Sequence, residues 1–288
     1  MSAGGNGLLA GKRALVMGVA DRHSIAWGIA QELHRQGATL ALTYQEEPRG
    51  RIERNVRALL ATLGEPASFP LLPCDVTDDA AIEDVFSRLR RDWRGLDVLV
   101  HCIAFADRDD LNRPFSQISR QGYKLAMEIS AYSLNAVARA AAPLMAEGGG
   151  GSIMTLTYNA VERAVPGYSA MAAAKAALEA GVRYLAAELG PSKIRVNAIS
   201  AGPVRTLSAS AVKGITALRR WTEEASPLRE NITLEDVGKT AAYLASDMSR
   251  LVTGNIIFVD SGTHVLGAQV AAVQLERQAG EAQPESPD

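Results

Sequence analysis

Seven short runs of consecutive apolar residues, spaced along the whole chain, constrain its fold more than any other feature. They fall at 14–17, 40–43, 68–72, 98–102, 152–156, 195–199 and 255–259. Being continuous rather than alternating, they read as strands buried on both faces, the pattern of a parallel sheet. Between them lie segments with apolar residues three and four apart, such as 25–36, 80–92 and 234–245, which predict helices. The last has Thr233 as an N-cap candidate and Asp236 in its first turn. Repeated alternation of the two patterns predicts one α/β domain: a doubly wound, seven-stranded parallel sheet with helices on both faces.

No Pro/Ser-rich linker divides the 288 residues. The expected organisation is a flexible Gly-rich segment at 1–9, a single domain at 10–268, and a disordered tail at 269–288 that ends ERQAGEAQPESPD. With 30 Lys+Arg against 32 Asp+Glu, the chain has no net field to attract nucleic acid or an anionic membrane. No stretch approaches 18 uncharged apolar residues, and the start lacks the pattern of a secretory signal. Only Cys74 and Cys102 occur, too few for a disulfide scaffold, so a cytoplasmic location is expected. His23, His34, His101 and His264 form no metal-ligand pair, and no metal is expected. His34 and His101 are expected in or beside the core.

The first strand runs into Gly18-Val-Ala-Asp-Arg-His-Ser24-Ile25, which opens a helix. A glycine there permits a tight turn beside a pyrophosphate, and the helix N-terminus offers free N–H groups to that anion, as in a Rossmann-type dinucleotide site. The spacing is not G-x-G-x-x-G; five residues separate Gly18 from Ser24, whose hydroxyl could meet phosphate. A simple turn would also explain this glycine. Strand two ends in Thr43-Tyr44-Gln45-Glu46-Glu47, where Gln45 can bond ribose hydroxyls and the two acids would repel a 2′-phosphate. This favours NADH over NADPH, with Arg49 and Arg51 keeping the alternative open. Asp75, at the end of strand three, could accept from an adenine amino group or simply cap its own turn.

Thr157-Tyr158 closes the fifth strand, and Tyr168-Ser-Ala-Met171-Ala-Ala-Ala-Lys175 opens an alanine-rich helix over 168–189. Seven steps at about 100° bring Tyr168 and Lys175 to one helix face, two turns apart. On spacing alone the plainer reading, a core tyrosine and an exposed lysine, is the stronger. The helix carries nine alanines and stops at Gly190-Pro191. Its small side chains suit either burial within the subunit or close contact with a second subunit.

Together these motifs resemble the short-chain dehydrogenase/reductase superfamily over roughly residues 8–268. The match is to its divergent branch of bacterial enoyl-acyl-carrier-protein reductases. It is carried by Gly18-x5-Ser24-x-Ala26, by Tyr168-x2-Met171-x3-Lys175 with Tyr158 ten residues before, and by SAGPVRTL at 200–207. RVNAI at 195–199 and Val259-Asp260 join them. The common branch uses Tyr-x3-Lys and a serine about thirteen residues earlier; here those positions are Ala172 and Thr155. The long-spaced pair sets aside the plainer reading of Tyr168 and Lys175.

The resemblance implies an NADH-dependent enzyme that reduces the trans-2 double bond of an enoyl thioester on acyl carrier protein, in fatty acid elongation. It implies catalytic roles for Tyr168, on the thioester carbonyl, and for Lys175, on the nicotinamide ribose. Tyr158 would line the acyl pocket and aid protonation. It also implies cofactor contacts at Gly18, Ser24, Ile25, Gln45, Asp75, Val76, Ile103, Ala104, Lys175, Val204 and Thr206. Phe105, Tyr158, Met171, Leu207, Ala209, Val212 and Ile215 would meet the substrate, and like subunits would assemble, as a homotetramer. Ala104 replaces a glycine common in relatives, and the tetrad asparagine of the common branch is replaced near Ser130. The segment 205–221 reads as a lid or a fixed surface helix, and its Lys213, Arg219 and Arg220 as a carrier-protein contact or a solvated face. Two rival readings are a carbonyl-reducing relative, which would need the missing Tyr-x3-Lys pair, and a nucleotide-binding regulator without catalysis.

Overall fold

The computed structural model describes residues 7–65, 68–165, 167–206 and 215–267. Seven strands form one sheet: β1 (Arg13–Met17), β2 (Thr39–Tyr44), β3 (Leu71–Pro73), β4 (Val98–His101), β5 (Gly151–Thr157), β6 (Ile194–Ala201) and β7 (Ile256–Val259). Their order is β3-β2-β1-β4-β5-β6-β7 and every pairing is parallel. The fold class expected from the apolar runs is the one found. Strand order reverses between β1 and β4, which opens a crevice beyond their carboxyl ends, where ligands bind in such sheets.

Helices cover both faces. On one side α1 (Ile25–Arg35) and α9 (Leu234–Ala245) bury Trp27, Ile29, Leu33, Val237 and Leu244 against the sheet. On the other, α3 (Asp79–Trp93), α6 (Ser133–Glu147) and α7 (Ser169–Leu189) bury Ile82, Leu89, Leu134, Leu178 and Val182. The remaining helices are α2 (Arg51–Leu60), α4 (Arg108–Asn112), α5 (Arg120–Met127) and α8 (Ile215–Ala225). Thr233 caps α9 as expected, and with Asp236 it forms a reciprocal capping box.

Several expectations need correction. The third strand begins at Leu71, not at residue 68. Pro70 has no N–H to give to β2, and Phe69 turns inward against the His34 ring, centroids 5.5 Å apart. Gly28, inside α1, serves packing: a Cβ there would stand 2.6 Å from the Leu234 Cβ, so it lets α9 approach α1. Gly190 stops α7 without a left-handed cap; its φ is −53°, and Lys193 takes the left-handed position at φ +60°. Residues 7–9 are tied to the fold rather than loose, since Leu9 is fully buried and its N–H donates to the Gln36 carbonyl at 2.9 Å. Residues 1–6 and the expected tail at 269–288 lie outside the described residues.

Candidate active site

The carboxyl ends of β1, β4, β5 and β6 open into one cavity of about 980 Å³. Register explains their convergence: Met17 pairs with His101, His101 with Thr155, and Thr157 with Ser200, so the strand ends lie side by side. Gly18 follows β1 at φ +93°, and a Cβ there would stand 2.2 Å from the Cys102 carbonyl oxygen. Only glycine lets the chain pass this close to the end of β4. Beyond it α1 points its first turn at the cavity, and Ser24, Ile25 and Ala26 line the wall. Ser24 makes no side-chain cap. Its oxygen instead accepts from the Ala20 and Asp21 N–H groups, both at 3.1 Å. The serine thus shapes the long loop, and the backbone N–H groups of α1 are left to meet an anion.

Lys175 and both tyrosines face this cavity. The plainer reading of Lys175 fails, because it is only 4% exposed and its ammonium donates to the Leu156 carbonyl at 2.7 Å. Burial lowers its pKa to about 8, against the upward pull of Cys102 and Glu179. Tyr168 sits at the N-cap of α7 rather than inside it, with φ −126°, so the helical angle from Tyr168 to Lys175 does not strictly apply. The two tyrosine rings meet edge to face, centroids 5.1 Å apart. Burial pushes the Tyr158 phenol up to about 12, helped by the Asp260 charge. Burial, then the neighbouring Tyr158, raises the Tyr168 phenol too. Both stay protonated and able to donate.

Ile103, Ala104, Phe105, Met171, Val204, Thr206 and Ile215 also line the cavity, as expected. Leu207, Ala209 and Val212 lie outside the described residues. Gln45, Asp75 and Val76 stand apart, at the ends of β2 and β3. Asp75 caps its own turn, accepting from the Thr77 N–H at 2.9 Å and the Thr77 hydroxyl at 2.7 Å. At the end of β2, Glu46, Glu47 and Glu53 surround a second hollow of about 370 Å³. The Glu47 carboxylate accepts from the N–H groups of Arg49, Arg51 and Ile52. Among the described residues no cluster of three His, Cys, Asp or Glu could hold a metal ion.

Sequence reasoning missed much of the wall. Arg108 and Leu111 of α4 and Leu218 and Trp221 of α8 close the cavity. The amphipathic spacing in 215–221 was the available signal for α8; the five-residue α4 left none. The basic pair on α8 is occupied: Arg219 donates to the Pro203 carbonyl at 3.2 Å, and Arg220 pairs with Glu224 at 2.6 Å. Lys213 is outside the described residues. Behind the cavity His101 is fully buried, with Nδ1 3.0 Å from the Thr155 hydroxyl and Nε2 2.8 Å from the Ser133 hydroxyl. Burial, then the charge of Lys175, lowers its pKa to about 3, so the ring is neutral. The Ser133 hydroxyl also donates to the Ile129 carbonyl at 2.6 Å and the Thr155 hydroxyl to the His101 carbonyl at 3.0 Å, so both flanking hydroxyls are fixed by the backbone.

Comparison with known proteins agrees with this geometry. A family profile described as enoyl-(acyl carrier protein) reductase matches residues 18–264. The enoyl-[acyl-carrier-protein] reductase [NADH] FabI of Nostoc sp. is 52% identical over 259 residues, covering 90% of this chain and 98% of the relative. The Bacillus cereus enoyl-acyl carrier protein reductase, solved with NADP+ and indole naphthyridinone, superposes with a TM-score of 0.87 at 52% identity, over 91% of this chain and 99% of that one. The Anaplasma phagocytophilum enzyme, solved with NAD, gives a TM-score of 0.85 at 44% identity, over 91% and 97%.

Proposed function

The chain belongs to the enoyl-acyl-carrier-protein reductase family, and from that premise we propose how its cavity performs the reaction. The protein is an NADH-dependent reductase of the trans-2 double bond of enoyl thioesters carried on acyl carrier protein, in fatty acid elongation. The observation that carries the site assignment is the convergence of Tyr158, Tyr168 and Lys175 on one cavity at the strand-order reversal.

The residues present fit the cofactor. Gly18 lets the loop turn tightly against the end of β4, where a Cβ would strike the Cys102 carbonyl, and the first turn of α1 offers N–H groups to the pyrophosphate. Ile103, Ala104, Val204 and Thr206 hold the nicotinamide end, and Gln45, Asp75 and Val76 the adenosine end. A cavity of about 980 Å³ leaves room for an acyl chain beside them. Glu46 and Glu47 disfavour a 2′-phosphate by repulsion, and Glu47 already occupies the N–H groups at the start of α2.

NADH, when bound, supplies the hydride for the β-carbon of the substrate. The chain's own work is orientation and charge stabilisation. The Tyr168 phenol donates to the thioester carbonyl oxygen as negative charge gathers there. Lys175 spends one N–H on Leu156 and keeps two for the ribose hydroxyls, with its charge close to the same oxygen. Tyr158 buttresses Tyr168 through the edge-to-face contact, and with Met171 and Phe105 it lines the acyl side. Leu207, Ala209, Val212 and Ile215 complete that side in this reading.

The working form is a homotetramer in the cytoplasm, with 10–268 as the reductase domain. Supporting the assembly, α7 buries Leu178 and Val182 inward but turns Ala180 and a Tyr184 that is 80% exposed outward. No described helix is long and apolar enough to cross a membrane. Loss of reduced-nicotinamide absorbance with a crotonyl thioester tests the function, comparing NADH with NADPH. Oxidation of NADH that depends on the thioester is expected; none with either cofactor would overturn the reading, and a regulator without catalysis would then stand.

A further inference from the structure

Between α5 and α6 the helix widens into a π turn over Glu128–Tyr132, a device that often marks functional sites. Within it Ser130 is fully buried. Its hydroxyl accepts from the Phe105 N–H at 2.8 Å and donates to the Phe105 carbonyl at 2.9 Å. One side chain thus satisfies both backbone polar groups of a residue 25 positions earlier in the chain. Phe105 lies past the end of β4, where no strand ladder holds the backbone. Ser133, the first residue of α6, lies within hydrogen-bond distance of the His101 ring. The next residue, Ala106, packs on Ala170 and Ala174 of α7, which flank Met171 on the helix that follows Tyr168 and carries Lys175.

We propose that Ser130 is a positioning residue for the reduction: its clamp on Phe105 fixes the loop that walls the substrate side of the cavity against the Tyr168–Lys175 face. The inference rests on the enoyl reductase reading. Without the hydroxyl, two backbone groups beside an open cavity lose their partner, and the loop shifts to find others. The sheet does not depend on this contact, because β4 has already ended at His101. The acyl chain loses its wall while the glycine turn, the α1 N-terminus and Lys175 still hold the cofactor.

Ser130→Ala should leave the NADH dissociation constant within about twofold of wild type while kcat/KM for the enoyl thioester falls about ten- to a hundredfold. Ser130→Cys keeps the volume with a weaker donor and acceptor, and should fall between the two. A kcat/KM at the wild-type level, or a parallel loss of NADH affinity and turnover, would overturn the proposal. If Ser130→Ala does not fold, hydrogen exchange on the wild-type protein decides. Protection of the Phe105 amide comparable to that of the β4 amides supports the clamp, and exchange at the rate of an open loop refutes it. A wild-type protein that fails to oxidise NADH with crotonyl thioester would remove the reaction, and the exchange result would still judge the clamp separately.

Discussion

An ammonium group shut away beside a thiol and a neutral imidazole holds its proton only narrowly, and Lys175 is such a group. Its pKa of about 8 lies below the ordinary lysine value because burial penalises the charge. Only the protonated form brings a full charge to the ribose, so NADH affinity should be flat below pH 8 and weaken as pH rises through it. Fluorescence titration across that range checks this, and Lys175→Ala should bind poorly at every pH; an affinity unchanged by the substitution would remove Lys175 from the site. Tyr168→Phe keeps the ring and loses the donor. Turnover should drop roughly 10²–10³-fold with NADH affinity nearly intact, read from steady-state rates and binding side by side. The convergence of Tyr158, Tyr168 and Lys175 on one cavity followed from the family motif, whereas spacing alone favoured an inert pair. Ser130 and His101 were visible only as a replaced asparagine position and a core histidine; their bonds to Phe105 and Ser133 left no trace, because a hydrogen bond between segments far apart in the chain imposes no period on either.

At the level of elements, periodicity predicted helices 25–36, 80–92 and 234–245 to within a residue or two, because each buries one stripe. The start of β3 was not legible: an edge strand of three residues is set by one neighbour and a proline. The closest helix contact was also hidden in the sequence. Gly28 and Gly238 let α1 and α9 meet backbone to backbone, and a Cβ on Gly238 would stand 2.8 Å from the Gly28 carbonyl oxygen. Alanine would favour the isolated helix by up to about 1 kcal/mol, but here the neighbour is backbone and cannot yield. Gly238→Ala should therefore destabilise the fold by about 1–3 kcal/mol, visible as a lower midpoint in thermal or urea unfolding. At the cavity rim α8 contributes Leu218 and Trp221. If this region closes over bound cofactor, NADH should slow proteolytic cleavage within 205–221; equal cleavage with and without NADH would make α8 a fixed wall.

For the whole molecule, one face of α7 serves the core, as the first reading of the alanine-rich helix expects, and the other face looks outward, where the proposed assembly would place a second subunit. Tyr184→Glu places a charge on the outward face. It should reduce the mass measured by light scattering from tetramer towards smaller species with the circular dichroism unchanged; an unaltered mass would move the interface elsewhere. The sheet order has a separate consequence. Within the sheet, the outer strands β2 and β3 on one side and β5 to β7 on the other are joined through the ladder between β1 and β4, from Ala14–Val98 to Met17–His101. The residues proposed to hold the cofactor come from both sides of that seam. Closing it brings together segments some eighty residues apart in the chain, a step whose loop-closure entropy makes it slow. Affinity for NADH during refolding should therefore clock the completion of the sheet's longest-range strand pairing, and no fragment ending before β4 should acquire it.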